Sequence, residues 1–283
     1  MHPNVPVRKR KKKRTEMDKA PLTEHLVEAR NRIVISLIVV LAAFAGCFYF
    51  SENIFQLLNL PLHYTMKFST EAPYFSFVPG ALFDYKLAVL RPVEALWTHM
   101  KIAFISAFVI TSPIVFYEIW KFIAPGLMPK EKKYAIPFVL TTSSLFITGS
   151  LFCFLIVLPF AMNFLLTYKM ENLQTNWTLG YYIDFCLKFI LAFGAVFELP
   201  VVTVFLTKLG IVTPDFLAKN RKYAVLIAFV IAALLTPTPD AFNQTLMAVP
   251  IIILYEVGIL ASRILNKKKP PKDEKEEEKK EKE

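Results

Sequence analysis

Three carboxylates in this sequence lie where acidic side chains are uncommon. Glu131 lies in a short loop in which three lysines surround it, Glu28 lies just before the first apolar run, and Glu198 lies inside a later one. A lone acid is unusual in a basic loop that only fixes membrane topology. Glu131 is therefore the first indication of a binding function, and Glu28 is a second acid at the end of a predicted span.

Glu198 is the acid that the sequence places deepest in an apolar run. An ionisable side chain at membrane depth costs about 2.5–3.5 kcal/mol, and less where it faces a protein interior or a water pocket. We therefore expect Glu198 to point into a cavity or toward a partner; the alternative is a residue near the interface that hydrogen-bonds a neighbouring helix. Glu118 can instead pair with Lys121, three residues further on. Glu256 can pair toward Arg263.

Polar residues also occur around the start of the last apolar run. Asp240 ends a proline-rich turn, and Asn243 and Gln244 follow it. We predict intramembrane polar contacts or partner contacts for Asp240 and Gln244. The alternative is that such side chains only join neighbouring helices by hydrogen bonds.

The sequence contains no convincing catalytic or metal-binding constellation. Its four histidines are scattered, and it has no glycine-rich phosphate loop and no paired serine and histidine. Cys47, Cys153 and Cys186 all lie inside apolar runs without the spacing of metal ligands, so they are predicted to be packing residues. We therefore predict no enzyme activity, no metal site and no cofactor.

Composition places the chain among membrane proteins. Hydrophobic residues make up 55% of it, aromatic residues 14%, and the mean hydropathy is +0.44. The net charge of +10 comes from basic residues that flank the apolar runs. That distribution is typical of contact with anionic lipid and of membrane topology, and it argues against nucleic-acid binding.

The apolar runs predict an all-α polytopic membrane protein with six transmembrane helices. The predicted spans are residues 33–50, 100–123, 136–166, 182–206, 223–235 and 241–262. The third is longer than the roughly 20 residues a bilayer needs, so it should tilt or project, whereas the last two are short. A basic disordered tail (1–21) and a charged disordered tail (264–283) flank this 22–263 domain.

Two segments outside the spans have predicted structure of their own. Apolar residues at helical spacing in 22–32 predict a short amphipathic helix on the membrane surface, in which Glu28 and Arg32 can pair. The long connection 51–98 is too aromatic for a slack linker, and 81–90 resembles an interfacial helix. We therefore expect an ordered cap on the outer face.

Basic residues alternate between the two sides of the predicted membrane. With six spans, the basic N-terminal tail, two inter-span loops and the start of the C-terminal tail fall on one side. The opposite side has few basic residues, diluted by acids. The positive-inside rule therefore places both termini in the cytoplasm.

A rival interpretation is a proton-coupled secondary transporter that uses Glu198. Such a protein would be expected to show an internal repeat or further ionisable residues along a path through the membrane, and the sequence shows neither. A membrane enzyme would need a reactive cluster at one depth, which is also missing.

Four motifs occur in order along the chain: HLVEARNRI at 25–33, FIAPGLMPKE at 122–131, FELP at 197–200 and LTPTPDAFNQTL at 235–246. Together they resemble the motifs of the TatC family, the multispanning core of the twin-arginine protein translocase. Residues 25–33 (HLVEARNRI) resemble its N-terminal H-L-x-E-L-R-x-R-L signature, with alanine at 29 in place of the usual leucine. Residues 122–131 (FIAPGLMPKE) resemble its first cytoplasmic loop. Residues 197–200 (FELP) resemble F-E-x-P in its fourth helix, and 235–246 (LTPTPDAFNQTL) resemble its last turn and helix start.

The resemblance implies a receptor in the bacterial cytoplasmic (inner) membrane. Such a receptor binds the twin-arginine signal peptide of folded cargo proteins. In multi-copy complexes with single-span TatA and TatB subunits, it supports transport driven by the proton motive force. The implied fold is a glove-shaped bundle whose concave side holds Glu198.

The resemblance also implies site residues. The family's two acids that contact the twin arginines map to Glu28 and Glu131, and the implied binding region includes Arg30, Phe122 and Pro125. Guanidinium groups pair with carboxylates in a planar, two-pronged way that lysine does not match, so each acid can take one arginine. The lysines around Glu131 would repel weaker cationic ligands and so sharpen the choice.

Overall fold

A computed structural model describes residues 22–68, 75–79, 87–124, 135–167, 177–236 and 240–265. Two predicted site residues, Pro125 and Glu131, lie outside the described residues. So do the N-terminal tail and residues 266–283 of the C-terminal tail.

Eleven helices and one hairpin make up the described chain. The helices are α1 (Leu22–Tyr49), α2 (Ser51–Leu58), α3 (Leu60–His63), α4 (Pro92–Ile123), α5 (Ala135–Phe152), α6 (Leu158–Thr167), α7 (Leu179–Phe197), α8 (Leu199–Lys208), α9 (Pro214–Lys219), α10 (Arg221–Leu235) and α11 (Ala241–Leu265). The strands are β1 (Tyr64–Phe68) and β2 (Phe75–Pro79). A π-helical turn, Cys153–Val157, joins α5 to α6.

Five helical segments are long and apolar enough to cross a membrane: Leu26–Tyr49, Pro92–Ile123, Ile136–Leu165, Leu179–Lys208 and Ala241–Leu265. These segments correspond to the predicted spans 1 to 4 and 6. The remaining predicted span corresponds to α10, which has 15 residues and is therefore about 22 Å long. The short length of α10 agrees with the short fifth span predicted from the sequence. The 25 residues of α11 give about 37 Å, so the prediction of a short last span is wrong.

The first two long helices begin earlier than predicted. α1 contains no proline from Leu22 to Tyr49, so it continues through 22–32 as one helix instead of forming a separate surface helix. α4 begins at Pro92, whose fixed φ and missing N–H suit the first turn of a helix. The prediction of a start at residue 100 missed this signal.

The fourth predicted span is broken at Glu198. Pro200 has no N–H to donate to the carbonyl of Val196. The N–H of Glu198 donates to the carbonyl of Ala195, three residues earlier, at 3.1 Å. α7 therefore ends at Phe197 and α8 begins at Leu199. Glu198 is therefore the residue that separates α7 from α8.

α7 is the central helix of the described bundle. Tyr182, Phe185, Phe189 and Phe193 repeat at helical spacing and are almost completely buried. The rings of Phe185 and Phe189 stack with their centroids 4.3 Å apart. The hydrophobic core therefore follows this aromatic face, against which α4 and α5 pack, whereas α1 packs against α4 in a smaller separate cluster.

One end of the bundle, which we call the basic end, contains the start of α1 and the ends of α4, α8 and α11. The ring of Trp120 near the end of α4 stacks on Phe138 near the start of α5, with centroids 4.3 Å apart. The hydroxyls of Thr207 on α8 and Ser262 on α11 are 3.4 Å apart. Cations at this end include Arg32, Lys121, Lys208, Arg221 and Arg263. Since α1 begins here and α11 ends here, both ends of the bundle's chain lie on one side.

Two ion pairs connect α9, α10 and α11 at the basic end. Arg221 on α10 forms a two-pronged pair with Glu256 on α11, at 2.6 and 2.9 Å. Arg263 contacts Asp215 on α9 at 3.6 Å. The predicted pairing of Glu256 with Arg263 is therefore wrong, because the helix that follows α9 brings Arg221 closer.

The opposite end carries an ordered cap, as the sequence predicted. α2 and α3 lead into a hairpin in which β1 and β2 pair antiparallel, from Tyr64 opposite Pro79 to Phe68 opposite Phe75. This hairpin is the exception to the predicted all-α fold. Residues 87–90 of the expected interfacial helix are not helical, because Ala88 forms a bridge with Thr178.

Candidate functional site

An arginine on α1 joins two acids at the basic end. The guanidinium of Arg32 donates from Nη1 to Glu118 Oε2 at 3.1 Å and from Nη2 to Glu28 Oε1 at 3.3 Å. Glu28 precedes Arg32 by one helical turn, whereas Glu118 lies on α4. We call Glu28, Arg32 and Glu118 the acid–arginine cluster.

The three members of the acid–arginine cluster differ in exposure. The Glu118 side chain is 9% exposed and that of Arg32 is 21% exposed. The Glu28 side chain is 32% exposed. A buried carboxylate needs a cation or hydrogen-bond donors close by, and Arg32 provides both to Glu118. Glu28 is the acid that a molecule from outside reaches most easily.

The pairing of Glu118 differs from the sequence prediction. Lys121 was expected to pair with Glu118, but its Nζ lies 5.6 Å from the centre of the Tyr117 ring. Glu118 faces α1 and pairs with Arg32. The predicted pairing of Glu28 with Arg32 is confirmed.

A pocket of about 400 Å³ lies beside the cluster, between α1 and α4. Arg32 and Glu118 border it, and its wall is otherwise largely apolar. The wall residues include Ile33, Leu37, Val40, Phe104, Phe108 and Phe122. The arrangement can hold a ligand that has both cationic and apolar parts.

The other residues predicted for this site lie at different places. Phe122 lines the pocket, as a binding residue would. Arg30 is exposed on α1, two residues from Arg32. Glu131 and Pro125 lie outside the described residues, in the connection that leaves the end of α4. Because Glu28 and the end of α4 share the basic end, that connection begins at the same end as Glu28.

Glu198 is a separate candidate, at the break between α7 and α8. Its Oε1 is buried and has no hydrogen-bond partner among the described residues. The hydroxyl of Thr142 on α5 lies next to this carboxyl, but without the geometry of a hydrogen bond. The carboxyl of Glu198 therefore faces α5, and a contact of this acid with a cavity or a partner stays a prediction.

Asp240 and Gln244 have contacts within the bundle. Asp240 Oδ1 accepts the backbone N–H of Asn243 at 2.7 Å, which caps the first turn of α11. Gln244 Nε2 on α11 donates to the carbonyl of Phe229 on α10 at 3.1 Å. The contact of Gln244 is the hydrogen bond between neighbouring helices that was the alternative for this residue, and Asp240 caps α11. A partner contact of either residue stays a prediction.

Glu118 is the site residue that sequence reasoning missed. It lies 86 positions from Arg32, so no local spacing connects the two. The only signal was an acid within the last turns of an apolar helix, and the nearby Lys121 offered a simpler local partner. No group of three or more potential metal ligands occurs in the part of the chain that the structure describes.

Comparison with known proteins gives consistent similarities. A family model described as "Sec-independent protein translocase protein (TatC)" matches residues 24–250. Two proteins of that name are each 39% identical to this chain. The one from Desulforapulum autotrophicum aligns over 90% of this chain and 88% of its own length. The one from Aquifex aeolicus aligns over 88% of this chain and 97% of its own length.

Two solved structures are also similar. A crystal structure described as the twin arginine translocase receptor TatC is 37% identical, with a TM-score of 0.70 over 85% of this chain and 98% of that one. A second, described as the same receptor in DDM, is 38% identical, with a TM-score of 0.71 over 84% and 99%.

Proposed function

The chain belongs to the TatC family of Sec-independent protein translocase proteins, and we propose that it is the signal-peptide receptor of a twin-arginine translocase. TatC proteins are membrane components of a protein translocase and not enzymes. This chain is accordingly a multi-pass membrane protein with a role in protein transport. Its ligand is the paired arginines and the following apolar segment of a cargo protein's signal peptide.

The observation that carries the proposal is the position of Glu28. It is the more exposed acid of the acid–arginine cluster, it lies at the basic end, and the next residue, Ala29, lines the apolar pocket. The connection that contains Glu131 leaves α4 at this same end. Two acids on separate segments can each pair with one arginine, and the pocket can take part of the apolar segment.

Arginine suits this site better than lysine for a geometric reason. A guanidinium presents a planar fork of N–H groups that matches a carboxylate, whereas an ammonium is a compact and strongly hydrated charge. The receptor therefore selects twin-arginine over twin-lysine peptides. The positive-inside rule places the basic end in the cytoplasm, where the signal peptide of a folded protein is presented.

The remaining parts of the function concern partners. TatA- and TatB-type single-span subunits assemble on the receptor in a multi-copy complex in the bacterial inner membrane, where the proton motive force drives transport. Glu198 supports this step, because its buried oxygen has no hydrogen-bond partner among the described residues. An acid in that position suits a contact with another subunit.

The test is binding of synthetic signal peptides to the purified protein in detergent. We expect the unaltered protein to bind a twin-arginine peptide more tightly than the matched twin-lysine peptide. Glu28→Gln and Glu131→Gln should each weaken binding and reduce its dependence on salt. Equal affinity of the unaltered protein for the two peptides would refute the proposal.

A further inference from the structure

We propose that Glu118 limits the pairing of Arg32 with Glu28 and so sets how tightly Glu28 binds an arginine of the signal peptide. In this inference, which rests on the proposed function, Arg32 is an internal competitor of the incoming guanidinium. Glu118 is a positioning residue that weakens the competition. It acts through Arg32 and does not itself pair with an arginine of the signal peptide.

The contact between Arg32 and Glu28 is a single N–H bond. Nη2 donates to Glu28 Oε1 at 3.3 Å, which is longer than the 2.7–2.9 Å or so of strong charge-assisted hydrogen bonds. Arg32 reaches Glu118 from its other terminal nitrogen, at 3.1 Å. Since the guanidinium is divided between two acids, neither receives the two-pronged pair that an arginine can form. An external arginine that offers Glu28 such a pair can therefore displace Arg32.

The Arg32 side chain can shift toward Glu118 when an external arginine displaces it from Glu28. Its Nε is buried and has no hydrogen-bond partner among the described residues. A shift toward Glu118 lets two N–H groups face that carboxylate, which replaces the bond lost at Glu28. The pocket between α1 and α4 borders both residues and gives the side chain room for this shift.

The charge of the acid–arginine cluster determines the direction of the effect. Two carboxylates and one guanidinium give a net charge of −1, and the more buried acid, Glu118, keeps Arg32 in place. Without the Glu118 charge, Arg32 neutralises Glu28 completely. Because Arg32 follows Glu28 by one helical turn, its fork can then turn fully onto that acid. A cationic peptide would meet a neutral cluster.

The experiment compares Glu118→Gln, Arg32→Gln and the double variant that combines them. Binding of twin-arginine and twin-lysine peptides is measured for each purified protein in detergent. The thermal unfolding midpoint of each protein is recorded in parallel. Glutamine keeps the size of glutamate and can still accept a hydrogen bond from Arg32, so the first variant removes mainly charge.

Glu118→Gln is expected to weaken twin-arginine binding about tenfold and to lower the preference for arginine over lysine. The double variant removes the competitor as well and should bind within about threefold of the unaltered protein. Unchanged binding by Glu118→Gln would overturn the inference. So would a double variant that binds as weakly as Glu118→Gln, because that result would mean that Arg32 does not compete.

Arg32→Gln distinguishes competition from a structural role. It leaves Glu118 buried without its cation, so the unfolding midpoint should fall. Where the protein remains folded, twin-arginine binding should be at least as tight as in the unaltered protein. Weaker binding by a folded Arg32→Gln protein would contradict competition.

Glu256→Gln is the matched control. It also removes the acid of an arginine–glutamate pair at the basic end, but on α11, where it pairs with Arg221. We expect its peptide binding to be unchanged, and a loss equal to that of Glu118→Gln would overturn the inference. If the unaltered protein does not prefer twin-arginine peptides, the proposed function itself fails. If that preference is present and Glu118→Gln leaves it intact, only this inference fails.

Discussion

Glu94 on α4 accepts the backbone N–H of Gly180 on α7 at 2.8 Å, although the two residues are 86 positions apart. The second oxygen of the same carboxylate accepts the N–H of Leu90 at 3.0 Å. Gly180 lies in the first turn of α7, whose free N–H groups and helix dipole favour a negative charge. One side chain therefore joins the start of α4, the end of the cap connection and the start of the central helix.

Glu94→Gln and Gly180→Ala should both lower the thermal unfolding midpoint in detergent. The first removes the charge at the start of α7 and replaces one acceptor oxygen by an amide nitrogen. The second would place a Cβ 2.9 Å from Glu94 Oε1, which forces the carboxylate to move. Glu52→Gln is the control at the same end, because Glu52 is 65% exposed and lies 3.6 Å from His99. Midpoints of both variants equal to that of the control would contradict this role of Glu94.

Tyr182→Phe should destabilise the protein by about 1–3 kcal/mol. The Tyr182 hydroxyl is buried and donates to the carbonyl of Leu58 at 2.5 Å, which attaches α7 to the cap helix α2. Phenylalanine fills the same space but leaves that carbonyl without its partner. The check is denaturant or thermal unfolding in detergent, and no change in stability would mean that water replaces the hydroxyl.

Gly258→Ala should separate α8 from α11 and cost about 1–3 kcal/mol. A Cβ at residue 258 would overlap Thr203 Oγ1 and lie 3.3 Å from the Pro200 Cα, so backbone as well as side chain would have to move. Gly46→Ala is the matched control on α1. Nothing lies within 4 Å of a Cβ built there, so alanine should leave stability unchanged or raise it by about 0.5–1 kcal/mol. Equal effects of the two substitutions would contradict the close packing at Gly258.

The sequence predicted those features that depend on local patterns. The long apolar segments and the short α10 follow from hydropathy and length. The start of α9 at Thr213–Pro214 carries a local signal of the same kind. Thr213 Oγ1 accepts the Phe216 N–H at 3.2 Å, as its position before a proline suggests. Glu28 was paired with Arg32 correctly because the two are one helical turn apart.

Features that depend on contacts between distant segments could not be predicted in this way. Glu118 pairs with Arg32 on another helix, although Lys121 is closer in sequence. Glu256 likewise pairs with Arg221 and not with Arg263. The choice among several cations depends on which helices pack together, and sequence spacing contains no information about that packing.

Glu198→Ala should impair transport while leaving twin-arginine peptide binding largely intact. Glu198 lies at the break between α7 and α8, whereas the acid–arginine cluster lies between α1 and α4, so the two sites belong to different helix pairs. Its buried Oε1 has no hydrogen-bond partner among the described residues, so the substitution removes an acceptor that the described part of the bundle does not use.

The measurement is export of a twin-arginine reporter in cells, together with co-purification of the single-span subunits. Glu198→Gln keeps the size and an acceptor oxygen, so it separates the need for a charge from the need for a hydrogen bond. Loss with alanine and recovery with glutamine would assign a hydrogen-bonded contact, whereas loss with both would assign a requirement for the carboxylate. Normal export and normal subunit recovery with alanine would refute the role, because an acid that another subunit contacts could not be removed without effect.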